Sequence, residues 1–267
     1  MLFSVLLSVY NKESELNLNS SLESVLVNQT VLPDQIVLVV DGSIREELEN
    51  IIERFCVSFA NFNVLRLNST KGLANALNEG LKCCDHEIIF RMDTDDICLP
   101  NRFETQLKFM ESNDDIAVCG SYVLEFDEDE DDIVSSRKVP VSHEEIVNFC
   151  KSRNPISHPS VCFRKSALLD VGGYPLIYPE DYLLWVRMIK AGYKFANIPE
   201  FLLKMRTNEA FIKRRGFTFL IGELKIYFYL YKIGWISIFN LARIAILRSI
   251  VRLAPSFIKI WLYRNLR

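Results

Sequence analysis

Through the first hundred residues, short apolar runs alternate with stretches of helical spacing. "FSVLLSVY", "QIVLVV", "NVLRL" and "EIIFRMD" are short, continuously apolar and rich in branched or aromatic side chains, which predicts buried strands. A helix is predicted through Leu22–Val27, ending before the Thr30–Pro33 turn. A second is predicted to start at Ser43, with Glu46 placed for a capping box, and to run through "ELENIIERF". In "GLANALNEGLK", Leu73, Ala76, Leu77, Gly80 and Leu81 recur at helical spacing. Continuous apolar strands separated by amphipathic helices predict an α/β fold with a mostly parallel sheet covered on both faces.

Beyond that point the alternation breaks down. "NRFETQLKFME" predicts a helix and "AVCGSYVLEF" a strand that runs into the acidic stretch Asp127–Asp132, read as a solvated hairpin loop. "SVCFRK" predicts a strand, "EDYLLWVRMIKAG" a helix and "FLLKMR" a late strand. From Phe217 onward the spacing is helical, with Phe, Tyr, Ile and Trp interleaved with basic residues.

Charge divides the chain more sharply than its net value of −3 suggests. Residues 216–267 hold eight basic side chains and one acid, Glu223, for a net +7, which leaves −10 on residues 1–215. An acidic body would repel a nucleic-acid backbone, so the basic tail points to another anionic partner, a membrane surface. The tail has no charge-free window of about 18 residues, which argues against a spanning helix; it either packs as ordinary helices on the domain or lies in the membrane interface, and the scarcity of acid favours the interface. Seven cysteines without a CxxC pair fit a reduced compartment better than a zinc site or a disulfide framework. The apolar start "MLFSVLLSVY" lacks a basic leader and reads as a first strand rather than a signal peptide.

The candidate chemistry lies in "RMDTDDICLP", where Asp93, Asp95 and Asp96 follow an apolar strand. One Asp before "LPNRF" would suit an Asx-turn; three like charges at a strand end suit it poorly. In a parallel sheet, ligands bind beyond the carboxyl ends of the strands, and an all-carboxylate set favours Mg²⁺ or Mn²⁺. Asp41 in "VVDGS" ends a neighbouring strand, where it can accept hydrogen bonds from a base or ribose. Glu180 and Asp181 open a helix after Pro179, where the helix dipole favours their ionised form, as a general base requires. His158 in "NPISHPS" precedes a strand and can pack or face an acceptor. Arg206, Arg214 and Arg215 lie in or after the last strand, within reach of a diphosphate or simply in a solvated loop.

Taken in order and spacing, "FSVLLSVYNK", "VVDGS", "KGLANALNEG", "MDTDD" and "EDYLLWVRMIKAG" resemble family 2 glycosyltransferases of the GT-A fold, over about residues 1–210. "PDQIVLVVDG" and "RMDTDDICLPNRFETQL" look like bacterial enzymes that build O-antigen and exopolysaccharide repeat units. The resemblance implies a GT-A domain over residues 1–215, followed by the helical tail. It implies that Val9, Tyr10 and Asn11 line a nucleobase pocket, that Asp41 accepts from uracil, and that Asn75, with Asn78 one turn on, serves the donor side. Asp93 would touch ribose or metal, and Asp95 or Asp96 would bind the metal at the diphosphate. Asp181 matches the base of inverting members, beside Glu180. The implied reaction moves a hexose, galactose or glucose, from a UDP-sugar to a GlcNAc-diphospho-undecaprenol-like acceptor at the cytoplasmic membrane face. Two positions depart from the usual pattern: Val40 stands where an Asp often precedes Asp-Gly-Ser, and Leu77 where an Arg often lies between Ala and Asn.

Two other function classes fit parts of the sequence. "DTDDI" after a strand suits the nucleophilic Asp of a phosphohydrolase, although three strand–helix units precede it and such motifs normally open their domain. A non-catalytic, membrane-docked nucleotide-binding module is the other, against which the Asp181 position argues.

Overall fold

The computed structural model describes residues 1–208 and 215–254. The first half follows the predicted alternation. β1 (Phe3–Val9), α1 (Glu15–Leu26), β2 (Gln35–Asp41), α2 (Glu46–Ser58), β3 (Phe62–Leu67), α3 (Leu73–Cys83) and β4 (Ile88–Arg91) succeed one another. Then come β5 (Ile97–Cys98), α4 (Arg102–Ser112), β6 (Ile116–Phe126), β7 (Ile133–Arg137) and α5 (His143–Cys150). A 3₁₀ turn at His158–Ser160 leads to β8 (Cys162–Arg164), α6 (Lys165–Asp170), α7 (Glu180–Lys190) and β9 (Lys194–Arg206). Two helices, α8 (Phe217–Lys232) and α9 (Ile238–Leu253), follow.

Among the described residues, nine strands join one sheet in the order β3-β2-β1-β4-β8-β6-β9-β5, with β7 paired to the far end of β6. β3, β2, β1 and β4 are parallel. β8 runs antiparallel to both β4 and β6, and β6 pairs with β9 in parallel over its length. Side chains alternate between the two faces along each central strand with the pleat. Leu6, Val37 and Val39 pack with Leu77 and Trp185 on one face, while Val5, Leu7, Ile36 and Leu38 pack with Leu22, Ile52 and Phe103 on the other. The expectation that both faces are covered holds, and its reason is visible: all seven residues of β2 are buried.

Local signals explain most boundaries. Ser14 caps α1, and Leu18, Leu22, Val25 and Leu26 form its inward stripe. α3 lies close on the sheet because Gly80 has no side chain; a Cβ there would come within 2.6 Å of side-chain atoms of Leu6 and Val39. The capping box predicted at Ser43 and Glu46 does not form. α2 begins at Glu46 after Arg45, with no side-chain cap, so Glu46 is the first helical residue rather than the third. Acidic residues in that first turn meet the positive end of the helix instead.

The two C-terminal helices pack on the same core. Ile226, Tyr227 and Leu230 of α8, with Ile244 of α9, join the cluster that also holds Tyr182 and Trp185 of α7. No helix among the described residues is long and apolar enough to cross a membrane.

Candidate active site

Because β1 to β4 run parallel, their carboxyl ends share one edge of the sheet, and the predicted site residues meet there. Val9 is buried at the end of β1, and Tyr10 and Asn11 are exposed just beyond it. A cleft of about 670 Å³ opens at this turn, lined in part by Asn11, Lys12, Glu13 and Arg45. Asp41, ending β2, is buried, and its two oxygens accept from the backbone N–H groups of Lys71 (2.9 Å) and Gly72 (3.0 Å). It therefore shapes the loop that delivers α3, a task the sequence reading did not assign to it. Asn75 is half-buried in the first turn of α3. Asn78 exchanges two 2.8 Å hydrogen bonds with the backbone of Tyr174, which gives it a structural role.

The structure gathers Asp93, Asp95 and Asp96 so that one ligand oxygen from each lies within 4.8 Å of the others. Arg91 forms a two-point ion pair with Asp93, one contact at 3.0 Å. Asp96 is buried; its Oδ1 accepts from the N–H of Arg206 at 2.8 Å, and its Oδ2 has no hydrogen-bond partner. Burial, then the charges of Asp95 and Asp93, raise its pKa well above the usual carboxylate range. An orphaned buried oxygen within an all-oxygen set suits a hard divalent cation, so these residues fit Mg²⁺ or Mn²⁺.

A second acidic site opens α7. Glu180 and Asp181 are both buried. Asp181 is held at both oxygens, by Nδ2 of Asn154 at 2.6 Å and by the N–H of Tyr182 at 2.8 Å. Burial nonetheless raises its pKa, against the pull of these donors. Burial and the neighbouring Asp181 push Glu180 up to about 7. The sequence predicted that the helix dipole would favour ionised carboxylates here; desolvation outweighs it. The positive charge of Arg91 acts on both residues in the opposite sense, linking this site to the first.

Other predicted residues take different places. His158 is buried, its Nε2 3.1 Å from the Tyr174 hydroxyl and its Nδ1 3.8 Å from Glu180. Burial, then Arg91, push its pKa well down, so it is a neutral imidazole packed beneath Glu180 rather than a group facing an open acceptor cleft. Arg206 is also buried. Its guanidinium donates to the carbonyls of Asp95, Asp127 and Glu128 and covers the Phe126 ring, so it pins the aspartate loop to the β6–β7 hairpin instead of reaching for a diphosphate. Arg215 is half-buried over the ring of Phe219. Arg214 lies outside the described residues.

Several contributors escaped the sequence reading. Asn154 sits in an irregular loop with no motif around it. Arg91 read as part of a strand, though a basic residue two before an Asp was a usable signal. Lys12, Arg45 and Lys71 follow β1, β2 and β3 closely, a recurrence of cations after strands that gives this edge positive charge.

Comparisons with known proteins agree with this geometry. The family model for glycosyl transferase family 2 matches residues 4–172. The chain is 37% identical to the amylovoran biosynthesis glycosyltransferase AmsE of Erwinia amylovora, over 99% of this chain and 98% of that one. It is 37% identical to an Escherichia coli UDP-Gal:alpha-D-GlcNAc-diphosphoundecaprenol beta-1,3-galactosyltransferase, over 98% of this chain and 95% of that one. Among solved structures, the mannosyltransferase PcManGT from Pyrobaculum calidifontis, in complex with GDP-Man and Mn²⁺, superposes with a TM-score of 0.64 at 14% identity, covering 93% of this chain and 69% of that one. Strand order, carboxylate cluster and family match converge: the chain belongs to glycosyl transferase family 2 and has the GT-A fold.

Proposed function

We propose that this enzyme transfers a hexose, galactose or glucose, from a UDP-sugar to a hydroxyl of a lipid-linked, GlcNAc-diphospho-undecaprenol-like acceptor in surface polysaccharide synthesis. The observation that carries the reading is the pairing of two distinct acidic sites around Arg91, one fitted to a cation and one to a proton. The activity of the E. coli relative supports the choice of donor and acceptor.

In this reading Tyr10 and Asn11 border the nucleobase, and Asp41 sets the Lys71–Gly72 backbone beside it. Asp93, Asp95 and Asp96 would hold Mn²⁺ or Mg²⁺, which supplies Lewis-acid neutralisation of the leaving diphosphate. Lys12, Arg45 and Lys71 add positive charge at the same edge, and Arg215, with Arg214, serves the donor side. Asp181 takes the proton of the acceptor hydroxyl. Asn154 and the Tyr182 N–H fix its orientation, and burial raises its basicity toward neutral pH. The freed alkoxide attacks the anomeric carbon opposite the departing UDP, which inverts the configuration. Glu180, with neutral His158 beneath it, sets the field around Asp181. The enzyme works at the cytoplasmic membrane face, attached through its C-terminal helices.

The test is a panel of UDP-sugars with Mn²⁺ and a GlcNAc-diphospho-lipid mimic, reading UDP release. Acceptor-dependent release from UDP-galactose or UDP-glucose is expected. Release of phosphate from a phosphomonoester without acceptor would instead point to a phosphohydrolase, and UDP binding without turnover to a binding module.

A further inference from the structure

The helix α9 is built inside out. Two of its three arginines turn toward the protein: Arg252, 6% exposed, makes a two-point ion pair with Glu223 of α8 (2.8 and 2.9 Å) and covers the Phe219 ring. Arg248 donates to the Ser152 carbonyl at 2.8 Å. Its large apolar side chains turn outward, with Phe239 84% and Ile250 65% exposed and Ile246, Leu247 and Leu253 also exposed. Phe239, Arg243, Ile246, Ile250 and Leu253 follow one another at three- or four-residue spacing, so they form one stripe. α8 buries Ile226, Tyr227 and Leu230, yet it also exposes Phe217, Ile221 and Phe228 on the face that carries Lys225 and Lys232.

A helix folded for water keeps its large apolar side chains in; the free faces of both helices instead mix exposed Phe, Ile and Leu with cations. We infer that the outward faces of α8 and α9 seat the enzyme on an anionic lipid bilayer, with Phe239, Ile246, Ile250 and Leu253 entering the interface. This deepens the lipid-linked acceptor reading and rests on it for its purpose. Charge selects the occupant. The exposed charged residues of the two helices are Lys225, Lys232 and Arg243, and the one acid, Glu223, is buried against Arg252. A second copy placed on this face would bring further cations and no acid, whereas anionic headgroups supply the missing countercharge. Neither helix is long and apolar enough to span the bilayer, so the attachment is interfacial.

The inward faces tie this surface to the base. Gly222 of α8 lies against the carbonyl of Tyr178, two residues before Glu180, at a distance no Cβ could occupy. Tyr227 of α8 and Arg248 of α9 both donate at 2.8 Å to Ser152, in the loop that carries Asn154 to Asp181. The docking face and the acceptor side of the site therefore belong to one packed unit, and seating the helices orients Asp181 toward the lipid-borne acceptor.

The test is co-sedimentation of the full chain with phosphatidylglycerol-containing vesicles and with phosphatidylcholine vesicles, without donor or acceptor. This keeps the result apart from that of the transfer assay. Wild type is expected to bind the anionic vesicles, with binding weakened by high salt but not abolished, because the apolar contacts are unscreened. Ile246→Asp/Ile250→Asp is expected to lower binding by at least about tenfold, with unfolding temperature and turnover on a water-soluble acceptor analogue unchanged. Phe239→Ala/Leu253→Ala, a milder pair on the same exposed stripe, should lower it less. Vesicle binding that survives in both double variants overturns the inference. So does a stable wild-type dimer that Ile246→Asp/Ile250→Asp dissociates, since the face would then belong to a second copy.

Discussion

The two acidic sites of this enzyme start from the same problem and resolve it differently. In each, a buried carboxylate lies beside another acid, and burial raises its pKa. At Asp93–Asp96 the oxygens converge within 4.8 Å, and one buried oxygen of Asp96 has no donor. At Glu180–Asp181 both oxygens of Asp181 are held by N–H donors, and Glu180 rests against a neutral imidazole. Converging oxygens, one of them buried without a donor, suit a cation, whereas a carboxylate held at both oxygens and raised in basicity by burial suits a proton acceptor. Arrangement, more than composition, separates a metal site from a base.

The strongest way to break the comparison is Asp181→Asn. The amide keeps the size of the side chain but cannot take a proton, so turnover should fall by about 10²–10⁴-fold while UDP affinity holds. Steady-state kinetics with calorimetry checks both; lost UDP binding would move Asp181 to the donor side. Asp96→Asn should do the reverse, removing the rise in unfolding temperature that Mn²⁺ gives wild type, as read by scanning fluorimetry. A Mn²⁺ response that persists in Asp96→Asn would show that the cation binds elsewhere.

Smaller changes sharpen the base assignment through the pH profile. Asn154→Ala removes a hydrogen bond to the ionised form of Asp181, so turnover at neutral pH should drop by about tenfold and the acid limb should move to higher pH. Glu180→Gln removes a like charge beside Asp181 and should move that limb to lower pH, with a few-fold change in rate of order 2–5. Shifts in the same direction for the two variants would contradict these roles.

Glu180 also makes a stability prediction. Its folded pKa of about 7 lies above the ordinary value of 4.5, so the folded state holds the proton more tightly than the unfolded chain. That contribution is complete below the unfolded pKa and is lost as pH rises through about 7. Thermal unfolding of Glu180→Gln should decline less over this range than that of wild type.

The same contrast runs through what the sequence made legible. β1 to β4 could be read because each is a continuous apolar run bounded by turns, and Asp93, Asp95 and Asp96 because their crowding at a strand end has no folding rationale. Strand direction could not be read beyond β4. An apolar run such as "SVCFRK" carries no mark of polarity, so β8 entering antiparallel between β4 and β6 was invisible. β7 was hidden by its half-polar "IVSSR", and the first half of β9 by Pro199. α5 was missed although Ser142 and Glu145 form a true capping box, whereas the similar pair at Ser43 and Glu46 forms none. Short-range signals identify where a helix can start; the chain's path decides whether it does. Asn154 and the inward arginines of α9 depend on contacts across the fold, which no local pattern encodes.

The central claim is that the carboxylates at the end of β4 hold a divalent cation for the donor diphosphate. Calorimetric titration of UDP into the wild-type enzyme, with Mn²⁺ and then with EDTA, tests it most directly, with Asp93→Ala, Asp95→Ala and Asp96→Ala run alongside. The account predicts binding that requires Mn²⁺ and is lost or strongly weakened in the variants. Equal UDP affinity with EDTA, or unchanged Mn²⁺-supported affinity in all three variants, would contradict it.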